Sequence, residues 1–344
     1  MTELFKVLAP GLHTTVQDRG RWGFQDIGMP VSGALDRVAF RLANALVGNP
    51  DGTPALEILL QGPTLEVVAE SARVALVGGG AGLEIGDETP RSVPPGESVR
   101  LVRGDILRVR PLGDVSCAYL AVEGGIAVPP CLGSASTYVR GRIGGLEGRP
   151  LQAGDVLAGA RPSVEERPER ALASPFDPGF GQSIRVVLGP QEDYFTAEAV
   201  ALFLSSDYRV SAQADRMGFR LDGPVLAHAK GFDIVSDAIV SGSVQVPGSG
   251  QPIVLLADAQ TTGGYPKIAT VISTDVPVLA RRRPGMAVRF EAVTQEQAEA
   301  LRREEEARVR GWIADVRLAR RGGGVDVETL YSANLIDGMI DALA

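Results

Sequence analysis

Two stretches of the 344-residue chain gather the side chains that could do chemistry. In PIVLLADAQTTGGYPKIATVIS, a strand-like run over 252–258 ends in Asp258. A loop of Gln260, Thr261, Thr262, Gly263, Gly264, Tyr265 and Pro266 follows, and a second strand begins at Lys267. Successive small residues leave backbone N–H groups free to converge on an anion. The return of the chain puts Lys267 near the Asp258 end. Such a pocket would suit a carboxylate, a phosphate or a carboxylated cofactor; the same pattern also fits a tight hairpin with a surface Asp–Lys pair. The second stretch, TVQDRGRWGFQDIGMPVSGALD, packs Gln17, Asp18, Arg19, Arg21, Gln25, Asp26 and Asp36 between glycines. Polar side chains this dense in turn-forming sequence suit the lip of a site, or else local bracing of a loop and a helix cap.

Counts narrow the chemistry. Only His13 and His228 are histidines, so a histidine-rich metal site or histidine relay is excluded and no metal centre is expected. Two cysteines, Cys117 and Cys131, cannot form an all-cysteine zinc site; Cys117 lies in a strand run and reads as core. VALVGGGAG is followed by turn and strand with no helix to meet a pyrophosphate, and no G-x-x-x-x-G-K-[ST] occurs. A net charge of −8 argues against nucleic acid. With no signal peptide and no apolar run near 18 residues, the chain reads as cytoplasmic, with free thiols and no membrane partner. Three lysines stand against thirty-one arginines, which fits a coding bias, yet each remaining lysine gains weight as a compact ammonium.

The elements that must hold these residues are mostly strands. ALEILL, ARVALVG, ESVRLV, DILRVR and SCAYLAVEG recur at barrel or sandwich spacing, and the texture returns in SIRVVLG, FRLDG and KIATVIS. Ser32 is expected to cap a helix over about 34–47, with Asp36 and Asn44 away from its apolar stripe. Thr294-x-x-Gln297 opens a charged helix to about Arg320, and ETLYSANLIDGMIDALA reads as a short terminal helix. The two strand blocks echo each other: Asp18-Arg19 before Gly23-Phe24 matches Asp215-Arg216 before Gly218-Phe219, and LQGPTL matches LDGPVL. A duplicated β domain, with a helical insertion in the first copy, explains this. The expected division is 1–165, a proline-containing linker at 166–182, 183–293, and a helical extension at 294–344.

These runs, with LGSASTYVRGRIGGLEGRPLQAGD and SGSVQVPGSGQPIVLLADAQTTGGYPKIATVIS, closely resemble the allophanate hydrolase subunit 2 family over about residues 5–292. That family includes the C subunit of 5-oxoprolinase, Kip-type (KipA-like) regulators and part of the carboxyltransferase region of urea carboxylase. The resemblance implies a mainly β fold of two tandem cyclophilin-like β-barrel domains. It implies, first, one chain of an ATP-dependent 5-oxoprolinase that opens 5-oxoproline to glutamate. Its partners would be a subunit-1 homologue (KipI-like, the B-type chain of 5-oxoprolinase) and a LamB/YcsF-type chain (the A-type), with ATP used by the complex. The alternatives are a carboxyltransferase module taking carboxybiotin from a partner chain, or a regulator antagonising a kinase inhibitor. Matching motifs imply Lys267 as electrostatic anchor and, with Asp258 and Arg216, as catalytic residue; they imply Gln260, Thr261, Thr262, Gly263 and Gly264 in the loop, with Gln17, Asp18, Arg19 and Asp36 across the facing cleft, as substrate-binding. One departure stands out: the family's arginine two residues before the strand tyrosine is here Cys117, before Tyr119.

Overall fold

The structure, a computed structural model, describes residues 2–80 and 82–319. In the first half, strands Thr2–Ala9, Thr64–Val67, Leu83–Ile85, Arg91–Val93, Ile106–Val109 and Val156–Gly159 form a six-stranded sheet. His13–Gln17, Ala55–Leu59, Ser71–Val77, Ser98–Val102 and Cys117–Val122 form a five-stranded one. Their facing sides share a core containing Phe5, Val16, Leu56, Leu65, Val74 and Leu120. The five-stranded sheet is buried on its other side too. Along Cys117–Val122, Ala118, Leu120 and Val122 enter that core, while Tyr119 and Ala121 meet helix α1 (Arg37–Val47), as the two-residue alternation of a strand requires. Helix α1 answers with Phe40, Leu42, Ala43 and Leu46, all fully buried, each large one contributing about 1.5–3 kcal/mol.

The second half is an eight-stranded sheet that runs in order from Ala287–Val288 through Tyr208–Ala214, Gly218–Asp222, Ile253–Leu255, Ser243–Gln245, Lys267–Val271 and Ile184–Leu188 to Phe290–Ala292. Its two edge strands are separated in sequence by Arg289 alone, so the sheet nearly closes into a barrel. Val186, Val210, Leu221, Val244, Ile268 and Phe290 fill it, and Leu35 from the first half reaches into the same core. Helix α2 (Ala197–Ser205) packs Phe203 onto Phe290, with ring centroids 4.4 Å apart.

A short helix, α3 (Val276–Ala280), and a long one, α4 (Gln295–Ala314), complete the described chain. The expected capping box of Thr294 and Gln297 forms, but α4 stops at Ala314. Strand Arg317–Leu318 then pairs with Arg170–Ala171. Helix α4 lies on α1 through Val309 and a two-pronged Arg41–Glu306 pair at 2.7 and 3.0 Å. The terminal helix expected in ETLYSANLIDGMIDALA lies outside the described residues. The stretch read as a linker is anchored near its start: Glu169, 8% exposed, accepts from Arg73 Nε at 3.0 Å, Ser98 Oγ at 2.5 Å and the Arg100 amide at 2.8 Å.

The opening of α1 differs from expectation. Its cap is Asp36, whose Oδ1 accepts from the Val38 and Ala39 amides at 3.0 and 3.1 Å, and the helix starts at Arg37. Ser32 instead sits in an extended approach with a left-handed backbone, φ 55°. Asp36 and Asn44 are both fully buried, because the face of α1 opposite its apolar stripe is covered by neighbouring chain. Gly33, at φ 81°, allows this approach: a Cβ there would come within 2.7 Å of the Gly20 amide nitrogen.

Candidate functional site: a cleft at the seam of the two halves

Where the halves meet, most of the sequence's conspicuous charges neutralise one another. Arg216, from the loop before Gly218–Asp222, donates two bonds to Asp258, from Nε at 2.8 Å and Nη2 at 3.1 Å. Its Nη1 pairs with Glu57 of the first half, and its Nη2 also donates to the Gly33 carbonyl at 2.8 Å. Glu57 Oε2 accepts from the Tyr119 hydroxyl at 2.6 Å and the Leu35 amide at 2.9 Å; the same tyrosine oxygen accepts from the Asp36 amide at 2.8 Å. Asp36 in turn receives Arg281 at 2.6 and 2.9 Å. Burial opposes the charge of Arg216, but Asp258 and Glu57 more than compensate and hold its pKa above the ordinary value. Burial, then Glu57, pushes the Tyr119 phenol well up, so it stays a neutral donor.

These contacts correct the placement expected for several residues. Asp258 faces Arg216, whereas Lys267 turns away from it and donates to Asp237 Oδ2 at 2.6 Å and the Ala238 carbonyl at 2.7 Å. The hydrogen bond from Lys267 is the main reason that the Asp237 carboxyl falls to about 2, helped by the Ala238 amide and Gln191. The loop of small residues folds back as a ribbon. Thr262–Gly263 pairs as a ribbon with Asp237–Ala238, and the carbonyls of Thr261 and Gly264 accept from the Ile239 and Ile234 amides, both at 2.9 Å. A Cβ on Gly263 would lie 2.5 Å from both Ile239 Cδ1 and Gln245 Nε2, side-chain ends that would have to move aside.

The N-terminal cluster divides likewise. Gln17 is fully buried, its Nε2 donating to Thr15 Oγ1 and the Thr137 carbonyl, both at 3.0 Å. Asp18 accepts from Ser134 Oγ at 2.7 Å, the Ala135 amide at 2.7 Å and Ser136 Oγ at 2.5 Å. Arg19 pairs with Asp51 in a neighbouring charged cavity. The signatures that echo each other agree in their aspartates: Asp18 and Asp215 each accept from the amide two residues on, at 2.8 and 2.7 Å. They differ in their arginines, Arg19 at the surface and Arg216 at the seam.

Beside the seam lies a cleft of about 230 Å³. Residues 22–37 form one wall; segments 239–241, 256–261 and 273–277 form the other. Of the residues expected at the site, it brings in Gln260 and Thr261 and leaves out Asp258, Thr262, Gly263, Gly264, Lys267, Arg216, Gln17, Asp18, Arg19 and Asp36. Its wall is apolar at Val31, Leu35, Leu256 and Val276 and neutral polar at Gln25, Ser32, Ser241, Gln260, Thr261 and Ser273. Among the described residues, no carboxylate lines it and Arg37 is its one charged residue; Arg37 also borders the neighbouring cavity, which holds Asp51, Glu305 and Glu306. Arg37 makes no ion pair among the described residues; its guanidinium lies over the Trp22 ring, 5.4 Å from the centroid. Sequence reading passed Arg37 over because it stands in an ordinary helix start; the signal available was its neighbour Asp36, a cap that fixes where the next side chain emerges. Among the described residues, no group of three or more His, Cys, Asp or Glu side chains could hold a metal, and no helix is long and apolar enough to cross a membrane.

The chain matches the family model "Carboxyltransferase domain, subdomain A and B" over residues 27–292. It is 39% identical over 306 residues to the C subunit of 5-oxoprolinase from Escherichia coli strain K12, covering 88% of this chain and 96% of that one. It is 32% identical over 327 residues to urea amidolyase of Saccharomyces cerevisiae, covering 89% of this chain but 17% of that protein. The crystal structure of urea amidolyase from K. lactis superposes with a TM-score of 0.80 at 30% identity, covering 91% of this chain and 20% of that one.

Proposed function

We propose that this chain, which belongs to the carboxyltransferase-domain family and is 39% identical to relatives named as the C subunit of 5-oxoprolinase over most of their length, is that component of an ATP-dependent enzyme opening 5-oxoproline to glutamate. The observation that carries this reading is the charge pattern of the cleft among the described residues: one arginine without an ion pair, no carboxylate, and otherwise apolar and neutral polar walls. 5-Oxoproline is a small neutral lactam ring bearing a single carboxylate. Arg37 would hold that carboxylate, the apolar wall the ring methylenes, and Gln260 and Thr261 the amide edge. A triphosphate with its divalent cation would need several cations and metal-binding carboxylates. The cleft supplies one arginine and none of the latter, so ATP is assigned to the complex rather than to this cleft.

We further read the two sheet systems as tandem cyclophilin-like barrels, 1–165 and 183–293, with 294–344 as an extension. Their separate cores and the matched aspartate turns support this. The partners are a KipI-like (B-type) chain and a LamB/YcsF-type chain, and the compartment is the cytoplasm. Lys267 acts in this reading through the ribbon it ties to Asp237, which frames Gln260 and Thr261, and touches no substrate.

The similarity to urea amidolyase favours a second reading, transfer of a carboxyl group from carboxybiotin on another chain to an amide, with Arg37 facing that carboxyl. Reconstitution with the partner chains separates the two. ATP-dependent glutamate release from 5-oxoproline, lost on omission of this chain, is the expected result. Glutamate release that persists without it would overturn the assignment.

A further inference from the structure

We propose that Ser32 donates a hydrogen bond to the carbonyl oxygen of the amide bound in the cleft, a residue-level role that rests on the amide reading above. Four observations meet on it. Ser32 lines the cleft. It is 2% exposed. Its Oγ is buried with no hydrogen-bond partner among the described residues. Its backbone is left-handed, φ 55°, at a residue that is not glycine. A buried hydroxyl without a partner and a left-handed serine each cost stability, and both persist only where the surroundings impose them.

The surroundings do impose them. The Ser32 amide donates to the Ala257 carbonyl of the second half at 3.0 Å, and the Val31 carbonyl accepts from the Arg21 amide at 2.7 Å. The Gly33 carbonyl is held by Arg216, the Ala34 amide by the Asp18 carbonyl at 3.0 Å, the Leu35 amide by Glu57 and the Asp36 amide by Tyr119. Six consecutive residues are thus pinned by groups from both halves, and the one polar side chain in the run left without a partner is the Ser32 hydroxyl. That hydroxyl turns about a single torsion and carries one proton to donate. A ligand carbonyl supplies the acceptor, and the bond strengthens as that oxygen gains negative charge on the way to ring opening. No covalent bond to Ser32 is involved. Arg37, five residues on, would meanwhile hold the carboxylate, so the two residues read the two polar ends of one small ligand.

The test uses the chain carrying Trp312→Phe, so that emission reports Trp22 alone, titrated with three probes. 5-Oxoproline has amide and carboxylate, 2-pyrrolidinone the amide alone, cyclopentanecarboxylate the carboxylate alone. Ser32→Ala should weaken the first two roughly 3- to 10-fold and leave the third unchanged. Ser32→Gly should give the same losses with a Tm no lower than the parent's, since glycine accepts the left-handed backbone. In the reconstituted enzyme, kcat should fall roughly 100-fold, by more than KM rises. Unchanged amide affinity in both variants, equal weakening of all three probes, or no response of Trp22 to any amide would each overturn the role of Ser32. If the parent complex fails to turn over 5-oxoproline while 2-pyrrolidinone binding still depends on Ser32, the function falls and the residue assignment stands.

Discussion

At the seam, Asp36, Glu57, Tyr119, Arg216, Asp258 and Arg281 satisfy one another across the two halves. A few residues away in the cleft, Arg37 has the face of Trp22 and the Ser32 hydroxyl has no partner. The two regions share a stretch of chain, and their polar groups answer opposite demands. Desolvated charges at the seam are tolerated because each meets its counter-charge with well-formed hydrogen bonds. In the cleft, unmet hydrogen-bonding capacity stays available to a ligand. Density of charged residues therefore marks the fastening, while sparse, unanswered polarity marks the proposed site.

The sharpest way to break this contrast is at the seam. Arg216→Met leaves Glu57 and Asp258 buried without their cation and should cost roughly 3–5 kcal/mol, read as a lower denaturation midpoint by urea titration. An unchanged midpoint would mean that the network is dispensable. At the cleft, Arg37→Ala should leave the urea midpoint within about 0.5 kcal/mol but raise KM for 5-oxoproline on the order of 100-fold, as loss of a charge-assisted carboxylate contact implies. Affinity for 2-pyrrolidinone should not follow, and a parallel loss would deny Arg37 its carboxylate. Tyr119→Phe, which removes a hydroxyl shared by Glu57 and the Asp36 amide, should cost about 1–3 kcal/mol with a smaller effect on KM than Arg37→Ala. The mildest test concerns the ribbon. Asp237 has its pKa lowered to about 2 by Lys267, so the pair stabilises the protein above the ordinary carboxylate range near about 4 and is lost as pH falls toward 2. Lys267→Met should return Asp237 to that ordinary range in a carboxyl-detected NMR titration, and an Asp237 that stays near 2 would assign its shift to Gln191 and the backbone instead.

Strand alternation, the capping box at Thr294 and the burial of Cys117 were legible in the sequence because each depends on residues close along the chain. Gln260 and Thr261 were legible as cleft residues for the same reason: a loop between two strands points to a sheet's end. The partners of Lys267, Arg216 and Asp258 were not, because they lie 30, 159 and 42 residues away along the chain. Proximity in a hairpin made Asp258 look like the natural mate of Lys267, yet Arg216 holds Asp258 and Glu57 of the first half together at that corner. Cys117 shows the same limit. Its thiol packs 3.9 Å from the Ala280 carbonyl, and the guanidinium beside Asp36 comes from Arg281 of the other half, where the resemblance expected an arginine on the strand itself.

The division of charges at the seam also sets the order in which the protein can be completed. Asp36 and Glu57 belong to the half synthesised first; Arg216 and Arg281 belong to the half synthesised last. A nascent first half leaving the ribosome carries two carboxylates with no cation to bury against, so its α1 entry and the 31–36 run gain their full set of contacts only when the second half arrives. Split after residue 172 and expressed as two pieces, the chain would carry one wall of the cleft on each, and the cleft would exist only in the reunited pair.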